Sequence, residues 1–276
     1  MTLPTIYVCG LVAYDGSNYH GFQVQVGVPT IQGALEDALA AVATPAGRVA
    51  GSGRTDAGVH ANGQVIAVRL AWRHSVGDLQ RAWNAHLPSD ISLRRLILAP
   101  EAFHPRFSAL SRTYRYRIDQ YDAHGYPPPR RSPLTDRYGL FVPRPLDVEA
   151  MGAAADALIG EHDFATFGQP PQGMNTVRRI FEAEWRVVHT DLPPLDEFPG
   201  RRIVFTVRAN AFLRQMVRNL VGSLLEVGRG RWAPGDMALA LATRDRSRSA
   251  PPAPPQGLAL EWVEYPGHLD AWSRKR

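Results

Sequence analysis

One cysteine, one lysine and the lack of any long apolar run distinguish this 276-residue chain more than anything it has in excess. Cys9 has no second cysteine for an intrachain disulfide and cannot build a cysteine-cluster zinc site; within its apolar strand pattern it reads as core packing. The lone lysine, Lys275, stands beside the C-terminus, which removes internal Schiff-base chemistry and any lysine-dependent phosphate loop. No stretch approaches the ~18 apolar residues of a membrane span, and the N-terminus has no basic-then-apolar leader. A cytoplasmic protein without a membrane partner is therefore expected.

Hydrophobic residues make up 45% of the chain, enough to bury one large or two modest cores. Two are expected, in an N-terminal half over residues 1–108 and a C-terminal half over residues 109–276. Basic residues outnumber acidic ones by 31 to 26, for a net charge of +5, and all but Lys275 are arginines. That bias is compatible with a nucleic-acid partner, but charge alone leaves the partner open.

The first half reads in order. Thr5 to Ala13 is a strand stopped by Asp15-Gly16, and Thr30 to Ala43 carries apolar residues at helical spacing. Arg48 to Ala50 and Gln64 to Leu70 read as strands, Val76 to Leu87 as a helix and Ile91 to Leu98 as a strand. The order β-α-β-β-α-β is a split βαβ, ferredoxin-like pattern, an α+β fold with a largely antiparallel sheet and helices on one face.

In the second half, the strand Ser111 to Ile118 alternates Arg112, Tyr114, Tyr116 and Ile118 with Thr113, Arg115 and Arg117. Leu146 to Ile159 is a predicted helix, Arg178 to Val188 and Arg201 to Ala209 a strand pair, and Ala211 to Val227 and Pro234 to Ala242 two further helices. Leu258 to Tyr265 is a closing strand, so the element order echoes the first half. The Pro-rich stretches 121–137 and 190–200 read as loops, as does the basic then Pro-rich segment 244–255.

Chemistry concentrates in Gly51-Ser52-Gly53-Arg54-Thr55-Asp56-Ala57-Gly58-Val59-His60-Ala61, where one carboxylate, one guanidinium and one imidazole stand among three glycines. The glycines suggest a tight loop lying against something bulky, with hydrophobic strands on both sides to hold it rigid. On residue grounds Asp56 reads either as a turn cap or as a reactive carboxylate. His60 reads as a structural hydrogen-bonding group. Arg214 and Arg218, four apart in a predicted apolar helix, share one side of it and need partners.

The run Gly53 to Ala61 resembles the catalytic signature of the tRNA pseudouridine synthase A family. The resemblance continues through Tyr14 to Gln23, although a Trp is common in the family where Phe22 stands. It also takes in Phe107-Ser108-Ala109 with Arg112, Tyr114 and Tyr116, then Asn210 to Asn219, and Ala253 to Leu258. It implies two ferredoxin-like halves with an active-site cleft between them, and isomerisation of uridine to pseudouridine at positions 38, 39 or 40 of the tRNA anticodon stem-loop.

In that reading Asp56 is the nucleophile, Arg218 pairs with it and favours its ionised form, and Tyr114 stacks on the target base. Arg54 helps displace the base, and Arg112 and Arg214 join Arg54 and Tyr114 in binding the substrate. The family resemblance also implies a homodimer acting on tRNA, with no metal, nucleotide or other cofactor. Two rivals stand beside it: a non-catalytic RNA-binding module of the same fold, and a metal-dependent hydrolase using Asp56 and His60.

Overall fold

The structure is a computed structural model that describes residues 4–121, 133, 135–170, 173–188, 200–267 and 269. The loop reading of 121–137 lies mostly outside these residues, and so do the Pro-rich connection 190–200 up to its last residue and Lys275. The chain divides into two compact units, Met1–Arg112 with Leu260–Arg276, and Thr113–Ala259. A cut of the sequence near residue 108 therefore falls four residues early, and the chain's last part returns to the first unit. No helix among the described residues is long and apolar enough to cross a membrane.

In the first unit β1 (Thr5–Tyr14) lies antiparallel between β4 (His60–Ala71) and β5 (Ile91–Leu98). Cys9 faces Ala67 across the first ladder and is buried, and burial pushes its thiol up to about 12, consistent with packing rather than reactivity. The expected strand at 48–50 is two short pieces instead, β2 (Thr44–Pro45) and β3 (Ala50–Gly51), both antiparallel to β4. The Ala46 N–H still bonds the Arg69 carbonyl at 2.8 Å, after which the pairing lapses until Ala50. β11 (Leu258–Glu264) also joins β4, whose twelve residues give one edge room for several partners.

Helix α1 (Ile31–Ala40) starts where Thr30 accepts the Gly33 N–H, and buries Ile31, Leu35, Ala38 and Leu39. This is the i, i+4, i+7, i+8 stripe of a half-buried helix. Helix α2 (Val76–His86) opens with a reciprocal capping box between Ser75 and Asp78 and buries Leu79 and Trp83. The Trp83 indole donates to the Leu35 carbonyl at 3.0 Å, tying α2 to α1.

The second unit's sheet runs β6-β10-β9-β8, from β6 (Ser111–Tyr121), β8 (Gly160–Asp163), β9 (Val177–Val188) and β10 (Gly200–Ala209). A short β7 (Leu140–Val142) adds to β6 in parallel, whereas β9 with β10 and β8 with β9 are antiparallel. The α+β reading with largely antiparallel pairing holds. Helix α3 (Val148–Asp156) packs against α4 (Met216–Gly228), α5 (Gly235–Thr243) and β9.

Helix α4 begins five residues later than the sequence pattern predicts. Gln215 has φ of 60°, a left-handed conformation that resets the chain before the helix starts. Arg214 just before it exchanges backbone hydrogen bonds with Gln169, and Leu213 packs so tightly on Gly168 that a Cβ there would lie 2.5 Å from the Leu213 Cβ. Arg214 and Arg218 are therefore not one helical side. Arg214 precedes α4 and is exposed; Arg218 lies within its first turn and is half-buried.

Candidate active site

Asp56 lies in the first unit on the loop between β3 and β4, and it is half-buried. Buried polar side chains hold the loop on both sides of it. Gln64 has no exposed surface: its Oε1 accepts from Ser52 Oγ at 2.7 Å and Ser52 N at 3.2 Å, and its Nε2 donates to the Gly53 carbonyl at 2.9 Å. Its Nε2 also lies 3.4 Å from Tyr14 Oη, which is hydrogen-bonded to Thr55 Oγ1 at 2.8 Å. Burial pushes the Tyr14 hydroxyl up to about 12, so this link keeps its proton across the neutral range.

The motif's glycines have unequal duties. Gly58 has φ of 76°, which a residue with a side chain rarely adopts. Gly53 has neither a positive φ nor a neighbour within 4 Å of a would-be Cβ, so nothing in the structure explains it. The loop also leans on the opening motif: the Phe22 N–H donates to the Thr55 carbonyl at 3.1 Å and the Gly58 N–H to the Tyr19 carbonyl at 3.2 Å.

His60 begins β4 and is buried, with Nδ1 3.1 Å from both the Gly16 amide nitrogen and Asp15 Oδ1. Whichever neighbour it bonds, the ring is fixed to the turn after β1. Among the described residues no three His, Cys, Asp or Glu side chains converge as a metal-binding group would require. Arg54 is exposed, and its Nε donates to Gln23 Oε1 at 3.1 Å.

Arg112 is buried and turned towards backbone. It donates to the carbonyls of Arg106 at 2.6 Å, Ser52 at 3.1 Å and Ala109 at 3.3 Å. One guanidinium thus links the Asp56 loop to the turn at 104–110, a duty its place in an alternating strand gave no sign of.

In the second unit Tyr114 is 8% exposed and meets Phe212 edge to face, with ring centroids 5.2 Å apart. Arg218 stands in the first turn of a helix whose other residues, Glu226 apart, are buried. A cation there opposes the helix dipole by about 0.3–1 kcal/mol, so its partners matter. Arg218 Nε donates to the Ala253 carbonyl at 2.7 Å, and the Ala253 N–H returns a bond to the Arg218 carbonyl at 2.9 Å.

That exchange belongs to a strap. Ala250 N donates to Ser223 Oγ at 3.1 Å, a Cβ on Gly222 would lie 2.0 Å from the Pro251 carbonyl oxygen, and the Tyr116 hydroxyl donates to the Pro254 carbonyl at 2.8 Å. Prolines leave few backbone donors in this segment, so its carbonyls act as acceptors for α4 and β6. The Pro-rich stretch that reads as a loop is a brace for Arg218.

The sequence assigned no role to Gln64, or to Ala253 beyond its place at the start of the Ala253 to Leu258 resemblance. Gln64 left a weak signal, a long amide at an inward position of an otherwise apolar strand. Ala253 left none, because its contribution is a carbonyl.

These features define an α+β protein that presents a carboxylate on a sheet-anchored loop and fixes an arginine beneath a proline strap. Residues 11–108 and 154–266 match the family model described as tRNA pseudouridine synthase. Those segments contain Arg54, Asp56, Arg214 and Arg218, while Arg112 and Tyr114 fall between them.

Over 263 residues the chain is 43% identical to tRNA pseudouridine synthase A of Chloroflexus aurantiacus, covering 95% of this chain and 90% of that one. It is 39% identical over 275 residues to the enzyme of that name from Oleidesulfovibrio alaskensis, covering 93% and 95%. With its counterpart from Rhodopseudomonas palustris it shares 42% over 258 residues, covering 92% and 96%. The chain belongs to the tRNA pseudouridine synthase A family.

Proposed function

We propose that this protein isomerises uridine to pseudouridine in tRNA, at positions 38, 39 or 40 of the anticodon stem-loop, with Asp56 as the nucleophile. The glycosidic bond between N1 of the base and C1′ of the ribose breaks, and the uracil turns within the site. A C5–C1′ bond then forms, and the C5 proton leaves as N1 takes one up. Substrate and product are isomers, so the balance needs no oxidant, reductant or energy source.

Arg218 supplies the guanidinium that favours an ionised Asp56, the form required for attack. Tyr114 stacks on the target base, and Arg54 helps displace that base from its helix. Arg214 contacts the RNA directly; Arg112, turned to backbone carbonyls, serves binding by holding the loop. The working form is a cytoplasmic homodimer on tRNA, as the family resemblance implies.

What carries the reading is Asp56 itself: it stands within a segment matched to the family and is held half-buried by buried hydrogen bonds on both sides. The test is tritium release from tRNA carrying C5-tritiated uridine. Wild type is expected to release tritium, and Asp56→Ala to release none while tRNA binding is largely retained. Release by Asp56→Ala at the wild-type rate would overturn the assignment.

A further inference from the structure

Phe107 is 75% exposed. Single apolar residues on a surface are common, but this one sits on a turn fixed from several sides. His104 Nδ1 accepts the N–H groups of Arg106 at 3.1 Å and Phe107 at 3.3 Å. His104 N donates to Ser108 Oγ at 3.0 Å, and Ser108 N returns a bond to the His104 carbonyl at 2.9 Å. The buried Tyr265 hydroxyl grips the Pro105 carbonyl at 2.7 Å, and Arg112 holds the Arg106 and Ala109 carbonyls.

The exposed ring itself has two neighbours. The His104 imidazole lies 4.4 Å from the Phe107 ring, centroid to centroid and at 35°, and the Arg106 guanidinium carbon lies 5.5 Å from the same ring. Residues 104–110 contain no carboxylate, so an exposed cation and an exposed aromatic face stand together on a rigid support.

We propose that the 104–110 turn is a stacking platform for one unpaired base of the RNA, with the Phe107 ring as the face and Arg106 as the contact to the adjoining phosphate. An aromatic face accepts any base, and an arginine beside it meets the phosphate that accompanies every base. A protein partner would call for a wider apolar surface than Phe107 and the 52% exposed Leu110 supply between them. Because Arg112 also holds the Ser52 carbonyl of the Asp56 loop, the platform and that loop share one anchor. The inference rests on the tRNA reading above and names a contact for it.

The experiment compares the full-length protein with its Phe107→Ala and Phe107→Trp variants, using unmodified tRNA transcript. Phe107→Ala is expected to weaken binding about 5- to 150-fold, the range of one lost base–aromatic stack, and to act on KM more than on kcat. Phe107→Trp is expected to restore affinity, and its emission, taken as the difference from wild type, to be quenched by tRNA. Wild-type affinity in Phe107→Ala, or an unquenched tryptophan, would overturn the platform. So would a change of oligomeric state in Phe107→Ala, which would make the turn a protein contact. Quenching by tRNA in a protein that forms no pseudouridine would instead retain the platform and sink the enzymatic reading.

Discussion

Replacing Gln64 by leucine tests whether the buried amide holds the Asp56 loop in place. Leucine has similar bulk but no polar atoms, so the main loss is hydrogen bonding. Ser52 N keeps its bond to the Val65 carbonyl at 2.8 Å, and Tyr14 Oη keeps Thr55. Ser52 Oγ and the Gly53 carbonyl lose the partners Gln64 gave them.

Each such group costs about 1–3 kcal/mol when left unsatisfied, and Gly53 belongs at the low end because it is only half-buried. The sum is about 3 kcal/mol, a large share of the roughly 5–15 kcal/mol that holds a domain folded. At a urea slope of about 2–3 kcal/mol per molar, the unfolding midpoint falls by roughly 1–1.5 M. With Asp56 as the proposed nucleophile, turnover is expected to suffer as well, because a reacting group displaced by about 1 Å loses on the order of a hundredfold in rate.

The assays are urea unfolding and tritium release measured at a temperature where Gln64→Leu stays folded. Gln64→Glu separates the two sides of the amide: it keeps an acceptor for Ser52 but sets a carboxylate against the Gly53 carbonyl, and is expected to be no better. Wild-type stability and turnover in Gln64→Leu would refute the claim that this network positions Asp56.

Gly222→Ala puts a methyl group against the Pro251 carbonyl, so the strap must shift and release Arg218 from Ala253; kcat is expected to fall at least tenfold, with a loss of about 1–3 kcal/mol from overpacking. Ser223→Ala, which removes only the bond to Ala250 N, should cost about 1 kcal/mol and serve as the milder control, and equal behaviour of the two variants would argue against the brace. The 104–110 turn should respond to pH, because partial burial, and then the Arg106 charge, hold His104 below its ordinary value of 6.5. A depressed histidine stabilises the fold fully above pH 6.5, and that contribution is lost as pH falls through the lowered value, when protonation of Nδ1 removes the acceptor for the Arg106 and Phe107 amides. The protection of these two amides, their exchange measured against an unstructured peptide at the same pH, should therefore fall between pH 7.5 and pH 5, and unchanged protection would count against the neutral-histidine turn.

Much of the first unit was legible in the chain because its signals are local. Strand and helix periodicity located β1, α1, α2 and β5 to within a few residues, and the Ser75–Asp78 capping box sits where that periodicity starts. The misreadings have physical causes. The strand at 48–50 was overdrawn because β2 and β3 exist only as additions to β4. The start of α4 was set too early because the apolar pattern runs on through Phe212 and Leu213, while the left-handed Gln215 depends on the bridge to Gln169. The domain cut near 108 could not show that Leu260 onward returns to β4, since that pairing joins residues some two hundred positions apart.

The candidate site divides in the same way. The sequence by itself supplied the candidates for reactivity: Asp56, Arg54, Tyr114 and Arg218 are identities, and their motifs can be read without coordinates. Only the tertiary structure decided what holds those groups still. The Gln64 amide under the loop, the Arg112 guanidinium joining three carbonyls and the Ala253 carbonyl against Arg218 act through long-range hydrogen bonds to backbone. Backbone groups are the same at every position and leave no letter in the sequence; only folding chooses among them.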